Sequence, residues 1–130
     1  MKEIKWARIY DYVKALRDNA TQAADNYLVL VDRLWPRGIS RAEVPLDCWA
    51  KDITPTTTLR QQYHKGMIDY SEFAKRYNKE LENNPQFADF IAILRREAEM
   101  KDVMLLYASK TPEQSHIPTL RRHIESALGM

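Results

Sequence analysis

The sequence predicts a small three-layer-like α/β domain with a short, mainly parallel sheet flanked by helices, and three observations carry that expectation. Residues 27–31 and 103–108 are almost wholly apolar, as strands covered on both faces are. Segments with apolar residues at helical spacing lie between these runs and after the second. Parallel neighbours need crossovers of that kind, because a tight turn cannot join them.

Taken in order, Ala7-Arg8-Ile9-Tyr10 is a β-prone run that ends at Asp11, and residues 27–31 form a second that ends at Asp32. The stretch between them, residues 12–26, reads equally as a short helix or a loop. From Thr54 the pattern turns helical, with Thr54 placed to cap and Pro55 at the first helical position, where its missing N–H matters little. That helix is expected to reach about His64. Asp69-Tyr70-Ser71-Glu72 approximates a capping box, and Tyr70, Phe73, Tyr77 and Leu81 follow at helical spacing. Asn84-Pro85 repeats the cap-then-proline signal ahead of a stripe formed by Phe87, Phe90, Ile91, Leu94 and Ala98. After the third strand, Ser115 is placed to cap a terminal helix bearing Ile117, Leu120, Ile124 and Leu128, with Pro118 in its first turn and Gly129 at its end.

With 130 residues, 45% of them hydrophobic, the chain reads as a single domain, 1–130, able to build one core. No apolar run approaches the ~20 residues of a membrane span, and the start Met-Lys-Glu-Ile-Lys-Trp does not resemble a signal peptide, so a cytoplasmic location without membrane contact is expected. The lone Cys48 fits a reducing compartment. A formal charge of +2 is too nearly balanced to argue for nucleic acid on bulk charge, so any basic site must be local. Phosphate-loop and dinucleotide fingerprints are absent, and no cofactor is expected.

Ligands of open parallel sheets bind beyond the carboxyl ends of the strands. Three distant segments would meet there: Asp11-Tyr12, residues 32–37, and Ser109-Lys110 with residues 111–116. This places Arg33, Arg37 and Lys110 as cationic donors, Ser109 and Ser115 as hydroxyls, and Trp35 as a wall that can stack on a flat group. Lys51 is expected to fold back over the same edge from a lid docked by Trp49. Asp32, Asp52 and His116 are the acid–base groups within reach, with Asp32 and His116 the two candidates for chemistry. Against this stands a purely structural reading, in which Asp32 pairs with Arg33 or Arg37 and His116 merely caps or faces solvent. His116 and His123 share a helix face but lack a third ligand, so no metal site is assigned. Cys48, near Asp47 and Lys51, reads as a packed thiol rather than a nucleophile.

These residues also carry a resemblance. Val29-Leu30-Val31-Asp32-Arg33-Leu34-Trp35-Pro36-Arg37-Gly38, then Leu46-Asp47-Cys48-Trp49-Ala50-Lys51-Asp52-Ile53-Thr54-Pro55, resemble the YeaO-like proteins of domain-of-unknown-function family 488. The likeness continues through Leu59-Arg60, Asp69-Tyr70, Phe73, Arg76-Tyr77 and Glu80-Leu81 to Leu105-Leu106-Tyr107-Ala108-Ser109-Lys110. It implies a small α/β domain and no defined reaction. Where the family pattern reads Asn-His-Ala, this chain has Ser115-His116-Ile117.

The functional expectation is a protein or enzyme that binds a small anion, phosphate-bearing or nucleotide-like, at the C-terminal edge of the sheet. The alternatives are a nucleic-acid-binding module using Arg33, Arg37, Arg41, Lys51 and Arg121-Arg122, and a protein-interaction module displaying Trp6, Trp49 and Tyr63. The sequence does not set the oligomeric state.

Overall fold

The structure is a computed structural model that describes residues 2–18 and 25–130. Its centre is a four-stranded, wholly parallel sheet built from β1 (Ile4–Arg8), β2 (Asn26–Leu30), β3 (Cys48–Trp49) and β4 (Asp102–Tyr107), in the order β1-β4-β2-β3. Among the described residues, five α-helices flank it: α1 (Ile9–Asp18), α2 (Thr57–His64), α3 (Tyr70–Glu82), α4 (Gln86–Glu97) and α5 (Ile117–Leu128). The protein is therefore a small α/β domain. No described helix is long and apolar enough to cross a membrane.

Alternation along the inner strands sends side chains into two cores, one on each face of the sheet. Val29, Val103 and Leu105 pack with Leu59, Phe73, Tyr77, Leu94 and Ile124 from α2 to α5. Leu28, Leu30 and Leu106 point the other way, onto Ile9, Val13 and Leu16 of α1 and onto Ile39 and Val44 of the loop after β2. The chain leaving β4 thus turns to one face, while the chains leaving β1 and β2 turn to the other. Divergent exits from adjacent parallel strands open a crevice at their carboxyl ends.

Several local expectations shift. The first strand ends at Arg8, and Ile9 and Tyr10 open α1 instead of closing the strand, because fully buried Ile9 belongs with Val13 and Leu16 on one helical stripe. The open link is helical as far as Asp18, and residues 19–24 of it lie outside the described residues. The cap of α2 is Thr56, whose hydroxyl accepts the Leu59 N–H, while the Thr54 hydroxyl donates back to the Lys51 carbonyl. Asp69 caps α3 by accepting the Glu72 N–H, and Gly129 ends α5 at φ 73°, a left-handed conformation that favours glycine.

Candidate functional site

The crevice is a cavity of about 360 Å³, and residues following three different strands line it. Tyr10 comes from the first turn of α1, residues 32–37 from the end of β2, and Ala108 and Ser109 from the end of β4. Pro55, Arg60 of α2, Phe73 of α3 and His116 complete the wall. The lining is mostly apolar, with three arginines, Arg33, Arg37 and Arg60, against one carboxylate, Asp32.

Asp32 acts as a cross-strand tie. Its Oδ2 accepts the Ala108 N–H at 2.8 Å, and its Oδ1 lies 3.3 Å from His116 Nε2. Its own carbonyl accepts the Trp49 indole N–H at 2.7 Å. The expected internal pairing of Asp32 with Arg33 or Arg37 is therefore replaced by pairing with a histidine and a backbone amide. His116 occupies the N-cap position of α5, but its side chain makes no capping bond and is turned inward from solvent. Its Nε2 sits 2.6 Å from the Val31 carbonyl, which can only accept, so Nε2 carries a proton. Side-chain exposures of 14% for His116 and 16% for Asp32 mean that water competes weakly for this pair. Two tyrosines hold the loop that presents His116, Tyr63 donating to the Gln114 carbonyl and Tyr70 to the Ser115 carbonyl.

The arginines differ sharply in how they are held. Arg33 Nε donates to the Pro55 carbonyl at 2.8 Å, so this cation is fastened to backbone. Arg37 is exposed at the cavity rim, and its side chain has no partner among the described residues. Arg60 Nε is buried and has no acceptor among the described residues. Such an orphaned donor is uncommon, because a buried N–H without a partner loses its hydration uncompensated.

Trp35 and Trp49 meet edge to face, with ring centroids 5.5 Å apart, and Arg41 lies over both rings. The Trp35 indole N–H donates to the Ile39 carbonyl, and the Tyr10 hydroxyl donates to the Arg37 carbonyl, so the loop after β2 is pinned around the cavity. Arg8 reinforces the other side, its Nε donating to the Ala108 carbonyl and its guanidinium lying 4.5 Å from the Tyr10 ring centre.

Of the residues expected at this edge, the structure brings together Asp32, Arg33, Trp35, Arg37, Ser109 and His116. Lys51, Lys110, Ser115 and Asp52 do not line the cavity. Lys51 is no lid cation: its Nζ lies 3.7 Å from the centre of the Trp49 ring, in the segment that adds the edge strand β3. Ser115 Oγ accepts the Ile117 N–H and donates to the Pro112 carbonyl, which engages it in the helix start. Asp11 is exposed and Tyr12 packs in the core beneath α1, so Tyr10 lines the cavity in their place. Sequence reasoning missed Tyr10, Arg60 and Phe73 as wall residues.

The remaining candidates fall elsewhere. Burial pushes the Cys48 thiol up, and the Asp47 charge adds to that, so it is held protonated rather than activated. His123 Nε2 contacts Asn78 Oδ1 at 2.6 Å, away from His116, and no metal-holding group of His, Cys, Asp and Glu occurs among the described residues. Arg41 and Lys51 lie on tryptophan faces, and Arg121 pairs with Glu125. Trp6, Trp49 and Tyr63 are each half-buried, with Tyr63 stacked on Phe73.

A family model described as "Inactive DUF488-N3 subclade" matches residues 3–130. The chain belongs to that DUF488 subclade. Similar relatives of this DUF488 chain include the uncharacterised protein YeaO of Escherichia coli K12, 36% identical over 95% of this chain and 97% of its own. The uncharacterised proteins Rv3073c of Mycobacterium tuberculosis H37Rv and Mb3100c of Mycobacterium bovis are each 31% identical over 90% of this chain and 89% of theirs. No solved structure matches.

Proposed function

We propose that this DUF488 protein binds a small organic anion in the strand-end cavity and acts through binding rather than catalysis. The observation that carries the reading is a cavity where three arginines face one carboxylate and where one of the three, Arg60, has a buried Nε–H without an acceptor among the described residues. A ligand anion supplies the missing acceptor and the missing charge together. The cavity volume of about 360 Å³ falls in the range of small-molecule sites, about 300–1,000 Å³, and apolar walls with few polar groups are their usual lining.

Binding without turnover agrees with the subclade's description as inactive. It also agrees with the state of the acid–base pair: His116 Nε2–H is engaged by the Val31 carbonyl and both Asp32 oxygens have protein partners. The test is a thermal-shift panel of organic carboxylates and phosphates against the wild type and Arg60→Gln. At least one anion is expected to raise the wild-type midpoint in a saturable way and to leave Arg60→Gln unmoved. Equal shifts in both proteins, or none in either, would contradict the reading.

A further inference from the structure

We infer that Arg41 is a positioning residue for the strand-end cavity, holding Trp35 as the wall that the flat part of a bound anion lies against; this deepens the anion-binding reading and rests on it. Trp35 is a partition. On one side it lines the strand-end cavity, and on the other it lines a recess of about 380 Å³ that it shares with Arg41 and residues 44–49. Arg41 is exposed and has no carboxylate partner among the described residues. Its guanidinium lies 4.5 Å from the centre of the Trp35 ring and 4.9 Å from that of Trp49. A planar cation is attracted to indole rings in this way, and two rings share this one.

The two rings differ in what else holds them. Trp49 is carried by β3 and its indole N–H donates to the Asp32 carbonyl, so it belongs to the sheet edge. Trp35 stands in the loop after β2, and its own indole N–H donates within that loop, to the Ile39 carbonyl. Arg41 bridges the loop-borne ring to the strand-borne one. It is itself placed from a distance, because it opens a short 3₁₀ turn, Arg41–Glu43, that is tied to α1. One Glu43 carboxylate oxygen accepts the Ser40 N–H at 2.8 Å, and the other accepts from the Arg17 guanidinium at 2.6 Å. Contacts thus run from α1 through Glu43 and Arg41 to a wall of the cavity. Without the guanidinium, Trp35 has more positions open to it, and a ligand that needs one of them binds with lower apparent affinity.

The experiment is a calorimetric titration of the whole chain with naphthoate and, separately, naphthyl phosphate, repeated on Arg41→Ala and Arg41→Lys. At least one probe is expected to bind the wild type and to bind Arg41→Ala about 5- to 30-fold more weakly, the combined worth of two exposed cation–π contacts. Arg41→Lys, which returns a cation to the rings, is expected to recover part of that loss. The ratio of wild-type to Arg41→Ala affinity should be the same at about 0.05 M and about 0.3 M salt, because salt screens the pull of an exposed charge on an anion and does not move a held wall. Equal affinity in wild type and Arg41→Ala, or a loss that disappears at the higher salt, would overturn the positioning role and leave the anion site standing. Binding of neither probe to the wild type would overturn both. Circular dichroism melts of the variants separate lost binding from lost folding.

Discussion

Arg60→Met removes the guanidinium while keeping an unbranched stem of similar reach and similar helix propensity, so α2 loses neither packing nor helical preference. In the wild type, the buried Nε–H forgoes its hydrogen bonds to water without gaining an acceptor among the described residues. A buried unsatisfied donor costs about 1–3 kcal/mol. Arg60 as a whole is only partly buried, so the lower part of that range applies, about 1–2 kcal/mol. The unliganded variant is therefore expected to be more stable than the wild type by that amount. For a chain of 130 residues this is a rise in Tm of roughly 3–10 °C. Chemical denaturation with urea gives the same difference as a shifted midpoint at unchanged slope. Anion binding should be lost in the same protein, the trade expected where a residue is kept for a ligand at the expense of the fold. A variant less stable than the wild type would refute the reasoning, since it would mean that the guanidinium already has a stabilising partner.

Asp32→Ala should cost about 2–3 kcal/mol, because it strips a charge-assisted acceptor from the Ala108 N–H and leaves His116 with the Val31 carbonyl alone. Asp32→Asn should lose roughly half as much, its amide oxygen keeping the Ala108 bond while its NH₂ opposes the His116 proton; urea midpoints within error of the wild type for both would contradict this. Tyr77 is fully buried with its hydroxyl on the Ile53 carbonyl, and desolvation holds its pKa well above the ordinary 10.0. The folded state then keeps a proton that the unfolded chain releases, so stability is unaffected by this group below pH 10.0 and falls above it, by about 1.4 kcal/mol per unit for one tyrosine. Tyr77→Phe should lose about 1 kcal/mol at neutral pH and flatten that alkaline decline, as denaturation series at neutral and alkaline pH would show.

The fold was legible where apolar runs and caps agree. Residues 27–31 and 103–108 sit within a residue of β2 and β4, and Asp69 and Gly129 act where their residue types suggest. Local pattern failed at β1, where Ile9 is as β-prone as its neighbours and only its place beside Val13 and Leu16 makes it helical. It failed again at β3, a two-residue strand held by pairing with Val29 and Leu30 and by Asp47, whose carboxylate accepts the Leu28 N–H. Neither tie has a sequence signature.

At the candidate site, the segment after β2 stood out through its density of Arg and Trp, and strand-end logic joined it to Ser109 and His116. Arg60 could not be singled out the same way. Its distinction is the absence of a partner in a buried place, which depends on the folds of α2, α3 and the loop after β2 together. Lys51 shows the reverse error, since proximity in sequence to the edge said nothing of the Trp49 ring that receives it.

The most direct test of the Arg60-centred anion site is nuclear magnetic resonance of the arginine Nε–H groups during titration with naphthoate and, separately, naphthyl phosphate. The Arg60 signal is expected to move saturably with at least one probe, while Arg33, already donating to Pro55, stays nearly still. An unmoved Arg60 signal, with shifts confined to exposed arginines such as Arg96 and Arg121, would contradict the account.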